Sequence, residues 1–388
     1  MQRETFLGSG DLGSASLSWP EKIWHFRWVL VLLLCAIAGI GFVTLYSAAG
    51  GSLEPWAVRQ MTRFAIGLTI MTVVGVIDIR FWFKAAYVLY GLALLLLAAV
   101  EVVGMGAMGA QRWLSLGFFQ IQPSEVMKVA LVMALARYFH GLGTEDVNRP
   151  INLVAPIGMA LVPVALVMRQ PDLGTAMMLM MATAAMAFLA GLRVWVFGAA
   201  IAAVGALMPV AWEFMHDYQR RRILTFLDPE RDPLGSGYHI LQSKIALGSG
   251  GIFGKGYMEG TQSYLNFLPE KQTDFIFTMF AEEFGMIGGL VLVALYLLIV
   301  VQGISVSLKS RSQFGRLLAA GLMALFFLYV FINVAMVMGV VPVVGVPLPL
   351  LSYGGTAMLT LMFSFGLVLS VGVHRDVRIG RRAIMDGL

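Results

Sequence analysis

The length of its apolar runs limits this chain more than any other feature. They extend over roughly 15 to 25 residues between short charged segments, about the length a helix needs to cross hydrocarbon. With 59% hydrophobic and 13% charged residues, an ordinary water-soluble domain, about 25% charged, is excluded. The chain reads as an all-α polytopic membrane protein. Hydropathy bounded by charges predicts about ten transmembrane helices, at 28–47, 60–77, 82–103, 124–139, 151–168, 173–192, 194–213, 275–302, 317–340 and 357–373. The first ends in Ser47-Ala48-Ala49, like a signal-peptide cleavage site, but its polar leader and apolar run are both too long, so it reads as an uncleaved anchor.

Lys and Arg set the sidedness. Arg27, Arg80, Lys84, Arg137, Arg193, Arg311, Arg316 and the tail arginines fall on one side, which the positive-inside rule makes cytoplasmic. The expected organisation is a cytoplasmic segment 1–27, a membrane domain 28–373 and a cytoplasmic tail 374–388. The membrane domain includes one large, ordered extracytoplasmic loop, 215–273, between spans seven and eight, where turn signals alternate with apolar stretches such as 238–247. Net charge is only +5, so a nucleic-acid partner is not implied. The single Cys35 permits no intramolecular disulfide and no cysteine metal site. A glycine-rich run, 248–256, lacks the spacing of a phosphate-binding loop.

Ionisable residues at membrane depth are costly, and here they gather at the extracytoplasmic side. Glu125 and Lys128 share one face at the start of the fourth span, as a helix-start brace or as part of a site. Arg63 lies about one turn inside the second span, where it could snorkel. Asp172 reads as a helix cap, and Asp274 equally as an N-cap of the eighth span. One of Glu282 and Glu283 should face the bundle interior, since consecutive positions cannot both face one neighbour. Arg220-Arg221-Arg222, Lys244, Lys255 and Lys271 make the loop basic, which suits either lipid headgroups or, with Arg63, Arg112 and Trp113, an anionic substrate such as a pyrophosphate. Pro342, Pro347 and Pro349, before Leu351-Ser352-Tyr353-Gly354-Gly355, predict a rigid non-helical segment walling a cavity.

Five strings resemble the SEDS family of shape, elongation, division and sporulation proteins. They are Gly109-Ala110-Gln111-Arg112-Trp113-Leu114, Gln122-Pro123-Ser124-Glu125, Gln170-Pro171-Asp172-Leu173-Gly174, Leu268 to Phe277 and Pro347 to Gly355. The loop strings around Arg220-Arg221-Arg222 and Gln242-Ser243-Lys244 look like the family's elongation branch. The resemblance implies an inner-membrane peptidoglycan glycosyltransferase with both termini cytoplasmic. It would polymerise lipid II onto a growing lipid-linked glycan at the outer face, with a class B penicillin-binding transpeptidase and other elongation-complex membrane proteins as partners. Asp274 matches the catalytic aspartate. Arg63, Arg112, Trp113, Glu125, Lys128, Gln219 and Arg222 match the substrate cavity, and Lys244 and Lys271 are added as loop cations facing the anionic substrate. One departure is Gln272, where the family commonly has His, so no mechanism here can rest on a histidine at that position.

The implied reaction inverts an anomeric centre. A hydroxyl of the acceptor sugar attacks, a carboxylate takes its proton, and undecaprenyl pyrophosphate leaves. That leaving group needs positive charge rather than a general acid, so one aspartate in a basic surface suffices. A divalent cation, magnesium or manganese, would serve the same end; without metal-ligand spacing in the sequence, the pyrophosphate itself would partly hold it. Two rival readings remain at this level: a lipid-precursor flippase or transporter, which would need polar groups in both leaflets, and a non-catalytic scaffold.

Overall fold

The computed structural model describes residues 18–103, 105–107, 110–115, 120–143, 145–215, 219–220, 224–226, 228, 236–261 and 270–380. After a short helix α1 (Trp19–Trp24), a helix lies at each expected segment, with ends that differ by a few residues: α2 (Trp28–Ala48), α3 (Ala57–Val76), α4 (Ile79–Val103), α5 (Pro123–His140), α6 (Ile151–Arg169), α7 (Leu173–Leu189) and α8 (Val194–Phe214). Within the long loop lies α9 (Ser236–Ser249), followed by α10 (Ile276–Lys309), α11 (Gln313–Val337) and α12 (Gly355–Val373). Among the described residues six helices, α2, α4, α6, α10, α11 and α12, are long and apolar enough to cross a membrane, and α7 and α8 contribute shorter apolar stretches. Glu125, Lys128 and Arg137 depress the hydropathy of α5, yet this helix is buried along nearly its whole length. Its polar groups face protein rather than lipid, which is where the bilayer tolerates them.

The all-α expectation needs one correction. Between α4 and α5 the chain forms a small antiparallel sheet in the order β1 (Met105–Ala107), β2 (Ala110–Ser115), β3 (Gln120–Ile121). Paired strands satisfy backbone groups that would otherwise stand open beside the bilayer. Of the expected ordered loop, α9 docks into the bundle through Ser243, whose hydroxyl is 2.8 Å from that of Thr278 and donates to the Val337 carbonyl at 2.9 Å.

Small residues set the closest helix contacts, as lipid provides no hydrophobic drive between helices. A Cβ added at Gly67 of α3 would lie 2.7 Å from the Met362 side chain of α12, and one at Gly366 of α12 would lie 2.7 Å from Val74 of α3. The glycine-rich run has a similar role. Gly285 interrupts α10 with φ +68°, and the carbonyls of Gly251 and Ile252 accept from the freed N–H groups of Met286 and Ile287 at 2.9 and 3.1 Å. In return Lys255 and Gly256 donate backbone N–H groups to the carbonyls of Glu282 and Glu283 at 3.0 and 3.1 Å. A Cβ at Gly254 would stand 2.0 Å from the Glu283 carbonyl oxygen, so only glycine fits. These amides are committed to helix α10, not to phosphate. The same break corrects the expectation for the paired glutamates, because both are buried. Glu282 accepts from Lys255 Nζ at 2.7 Å, while the Ser47 hydroxyl of α2 donates to Glu283.

The proline-bearing segment after α11 is non-helical, as its sequence predicts. At membrane depth its carbonyls need partners, and side chains of the surrounding helices supply them. Asn333 Nδ2 donates to the Val346 carbonyl at 2.7 Å, Tyr296 to that of Pro349 at 2.5 Å and Gln60 Nε2 to that of Ser352 at 2.9 Å. Ser352 Oγ donates to the Thr273 carbonyl at 2.6 Å, and the Tyr353 N–H to that of Gln272 at 2.8 Å, so this segment is bonded directly to the turn that carries Asp274.

Candidate active site

A cavity of about 200 Å³ opens where β2, the proline segment and the starts of α5, α7, α10 and α12 converge. Arg112, Trp113, Glu125, Lys128, Asp172 and Asp274 line it, with Tyr353, Gly354 and Gly355 as one wall. Five distant strings of sequence therefore meet in one place.

The three cavity carboxylates differ in what occupies them. Glu125 Oε1 accepts from Lys128 Nζ at 2.7 Å and Oε2 from the Tyr329 hydroxyl at 2.5 Å. Asp172 caps α7, accepting from the Thr175 N–H at 3.1 Å and from its hydroxyl at 2.9 Å. Asp274 differs from both. Its expected role as an N-cap is not what the structure shows: α10 begins at Ile276, its N-cap is Phe275, and no side chain caps it. No described donor or cation binds the Asp274 carboxylate; only its backbone carbonyl is held, by Asn333 Nδ2 at 2.9 Å. Among the described residues the charges that shift it are negative. Burial, and then the negative charges of Glu270 and Asp172, raise its pKa from 3.8 to about 6. A carboxylate of that pKa is still largely ionised at neutral pH and is a stronger base than an ordinary aspartate.

The cations are spent unequally. Arg112 donates from Nε to the Gln170 carbonyl at 3.2 Å and from Nη2 to that of Pro171 at 2.6 Å, fixing the turn before Asp172. Lys128 is almost wholly buried and lies 4.4 Å above the Tyr329 ring. Arg63 borders the wall: its guanidinium lies 4.7 Å over the Tyr353 ring, and its buried Nη1 has no hydrogen-bond partner among the described residues.

Residues 27–377 match the FtsW, RodA and SpoVE family model, described as cell cycle protein. The chain belongs to this family. It is 45% identical over 359 residues to the peptidoglycan glycosyltransferase MrdB of Escherichia coli strain K12, covering 91% of this chain and 95% of that one. The peptidoglycan glycosyltransferase RodA of Treponema pallidum is 30% identical, covering 90% and 98%. Among solved structures, a chain from a peptidoglycan synthase complex in which polymerization and crosslinking are coordinated superposes with a TM-score of 0.79 at 34% identity, covering 90% and 98%. The Thermus thermophilus rod shape determining protein RodA gives a TM-score of 0.69 at 29% identity, covering 91% and 98%.

Not every SEDS-like residue read from the sequence reaches the cavity. Lys244 is exposed on α9, and its Cε and Nζ would lie 2.2 and 2.8 Å from a Cβ added at Gly339, away from the lining. Gln219 is buried outside the cavity lining, and Lys271 sits in the turn before Asp274 without lining it. Arg222 lies outside the described residues. Three residues that the sequence reading did not single out support the site: Gln60, Tyr329 and Asn333. Asn333 is legible in retrospect as an amide in an otherwise apolar span. Among the described residues no group of three or more His, Cys, Asp or Glu could hold a metal ion. Two of the carboxylates that line the cavity, Glu125 and Asp172, already accept hydrogen bonds within the chain.

Proposed function

We propose that this chain is a peptidoglycan glycosyltransferase of cell elongation that polymerises lipid II, with Asp274 as general base. One observation carries the assignment of the base. Among the described residues three carboxylates line the cavity, and of these only Asp274 has both oxygens without a hydrogen bond. Asp274 takes the proton of the acceptor hydroxyl as that oxygen attacks the anomeric carbon of the lipid-linked donor, and undecaprenyl pyrophosphate departs with inversion. A divalent cation, magnesium or manganese, would be held partly by the pyrophosphate itself and would help to stabilise its charge.

All ten membrane helices would cross the bilayer, leaving 1–27 and 374–388 cytoplasmic and the cavity, with the 215–273 loop, extracytoplasmic. A class B penicillin-binding transpeptidase is the proposed partner, in line with the likeness to a synthase-complex chain. Incubating the purified chain with labelled lipid II, with and without that transpeptidase, tests the activity directly. Glycan polymer is the expected product; its absence in both conditions rejects the reading.

For the departing pyrophosphate, the wall made by Tyr353, Gly354 and Gly355 is the favoured place. Helix α12 starts there with no side-chain cap, so its positive end is available to an anion, and the Arg63 guanidinium, whose Nη1 has no described partner, stacks on Tyr353 beside it. A lysine keeps the charge but neither stacks nor forks onto phosphate oxygens. Arg63→Lys should therefore lower kcat/KM for lipid II by about tenfold, a loss of one charge-assisted hydrogen bond. Unchanged kinetics would return Arg63 to snorkelling.

The pH profile follows from the site's electrostatics. With its pKa raised to about 6, Asp274 loses its basic form as pH falls through that value, so kcat/KM should drop on an acid limb near pH 6. Glu270→Gln removes a negative neighbour, which makes Asp274 easier to ionise and should move that limb to lower pH. A limb that stays in place in Glu270→Gln would show that another group sets it.

A further inference from the structure

We infer that Tyr329 is a positioning residue, setting the Glu125–Lys128 pair so that Lys128 presents a free N–H to the cavity; the inference rests on the proposed polymerase activity. Tyr329 lies on α11, far from Glu125 in sequence, and its ring is buried against α5. It makes two contacts of different kinds with the two members of the pair. The hydroxyl donates to Glu125 Oε2 at 2.5 Å, and the ring face lies 4.4 Å beneath Lys128 Nζ.

The geometry makes each contact necessary to the other. A carboxylate at the end of a flexible Glu side chain has two acceptor oxygens and several rotamers. With Oε1 on Lys128 and Oε2 on a rigid phenol, the carboxylate is pinned from two helices. The Lys128 ammonium has three donors. One goes to Glu125, a second faces the Met178 sulfur at the long distance of 3.9 Å, and the third has no described acceptor, although Lys128 lines the cavity. The phenol ring fixes the ammonium from below, where an aromatic face attracts a cation but accepts no conventional hydrogen bond. Lys128 is thereby held without being saturated. Tyr329 also divides the site: it lines a narrow apolar cavity that Glu125 shares with the polar one, and Lys128 lies on the polar side only.

Removing the hydroxyl should leave Glu125 Oε2 bare and buried, and the carboxylate would then turn to recruit more of the ammonium. Lys128 would be drawn off the cavity with no substrate contact deleted.

The experiment uses the full-length chain in lipid with labelled lipid II, comparing the parent with Tyr329→Phe, Glu125→Gln and the double variant. Tyr329→Phe should lower kcat by about tenfold or more, the scale of a hydrogen bond to a charged group, with KM changed by less than about twofold. In the Glu125→Gln background the same substitution should cost nothing further, because the carboxylate it positions is gone. Incorporating 4-aminophenylalanine at position 329, which restores a donor on the ring, should recover most of the rate. Parental kcat in Tyr329→Phe, or losses that multiply in the double variant, would overturn the inference. A parent that makes no polymer defeats the activity instead, and then the Glu125 carboxylate band, identified by infrared difference against Glu125→Gln, decides alone. It should shift in Tyr329→Phe, and an unmoved band refutes the positioning role even if the phenylalanine variant folds poorly and its rates cannot be compared.

Discussion

Asp274→Asn should fold, reach the membrane and bind the proposed transpeptidase partner, yet make no glycan polymer from lipid II. A positioned general base contributes about 10² to 10⁴ in rate, and the amide has no basic oxygen to replace it. The structural cost should be small. Asp274 caps nothing, its carboxylate accepts no described hydrogen bond, and the contact that anchors the turn, Asn333 to its backbone carbonyl at 2.9 Å, is indifferent to the side chain. Its charge is in fact disfavoured by burial and by Glu270 and Asp172. Neutralising it should leave Tm unchanged or slightly raised at neutral pH, where the aspartate is mostly ionised. Loss of activity together with undiminished stability distinguishes a base from a structural carboxylate. Polymerisation by Asp274→Asn near the parental rate would reject the assignment, and a large fall in Tm would reject the account of its surroundings.

Much of this was legible from the sequence, for a physical reason. Spanning helices must satisfy their backbone internally and face lipid with apolar side chains, so the segments from 28–47 to 357–373 could be read from hydropathy and charge alone, and each is helical. Polar residues at membrane depth are expensive, so those present were candidates at once, and Arg112, Glu125, Lys128 and Asp274 do share one cavity. What could not be read were relations across the bundle. Asp274 and Phe275 are neighbours in sequence, and only the start of α10 decides which of them is the cap. Tyr329 looks like any aromatic in an apolar span until α11 packs on α5 and brings its hydroxyl to Glu125. The expected basic surface is met in part: Arg112 and Lys128 line the cavity with Asp274, while the described charges that shift it are Glu270, four residues away in sequence, and Asp172, brought in from another turn. The small β-sheet escaped because β1 and β3 have only three and two residues, and β2, Ala-Gln-Arg-Trp-Leu-Ser, shows no apolar–polar alternation.

Glu125 and Lys128 should lose function together and stability separately. Lys128 is 2% exposed and Glu125 5%, so both charges are out of water and each depends on the other. Breaking such a pair from one side leaves a buried charge and costs about 3–5 kcal/mol, whereas removing both can be nearly neutral. Glu125→Ala leaves the ammonium with only the Tyr329 ring and a distant sulfur, and Lys128→Met leaves the carboxylate with the Tyr329 hydroxyl. Glu125→Ala should therefore be the more destabilising of the two, because the surviving carboxylate keeps a true hydrogen bond and the surviving ammonium does not. The double variant should be more stable than the sum of the singles predicts, by a coupling energy of about 1–3 kcal/mol for contacting charges. Its activity should nevertheless stay lost, since the cavity then lacks its ammonium altogether. Thermal denaturation and lipid II polymerisation measured on the same four proteins separate these outcomes. Additive stabilities would mean that the residues work independently, and a double variant that regains activity would reduce the pair to a brace at the start of α5.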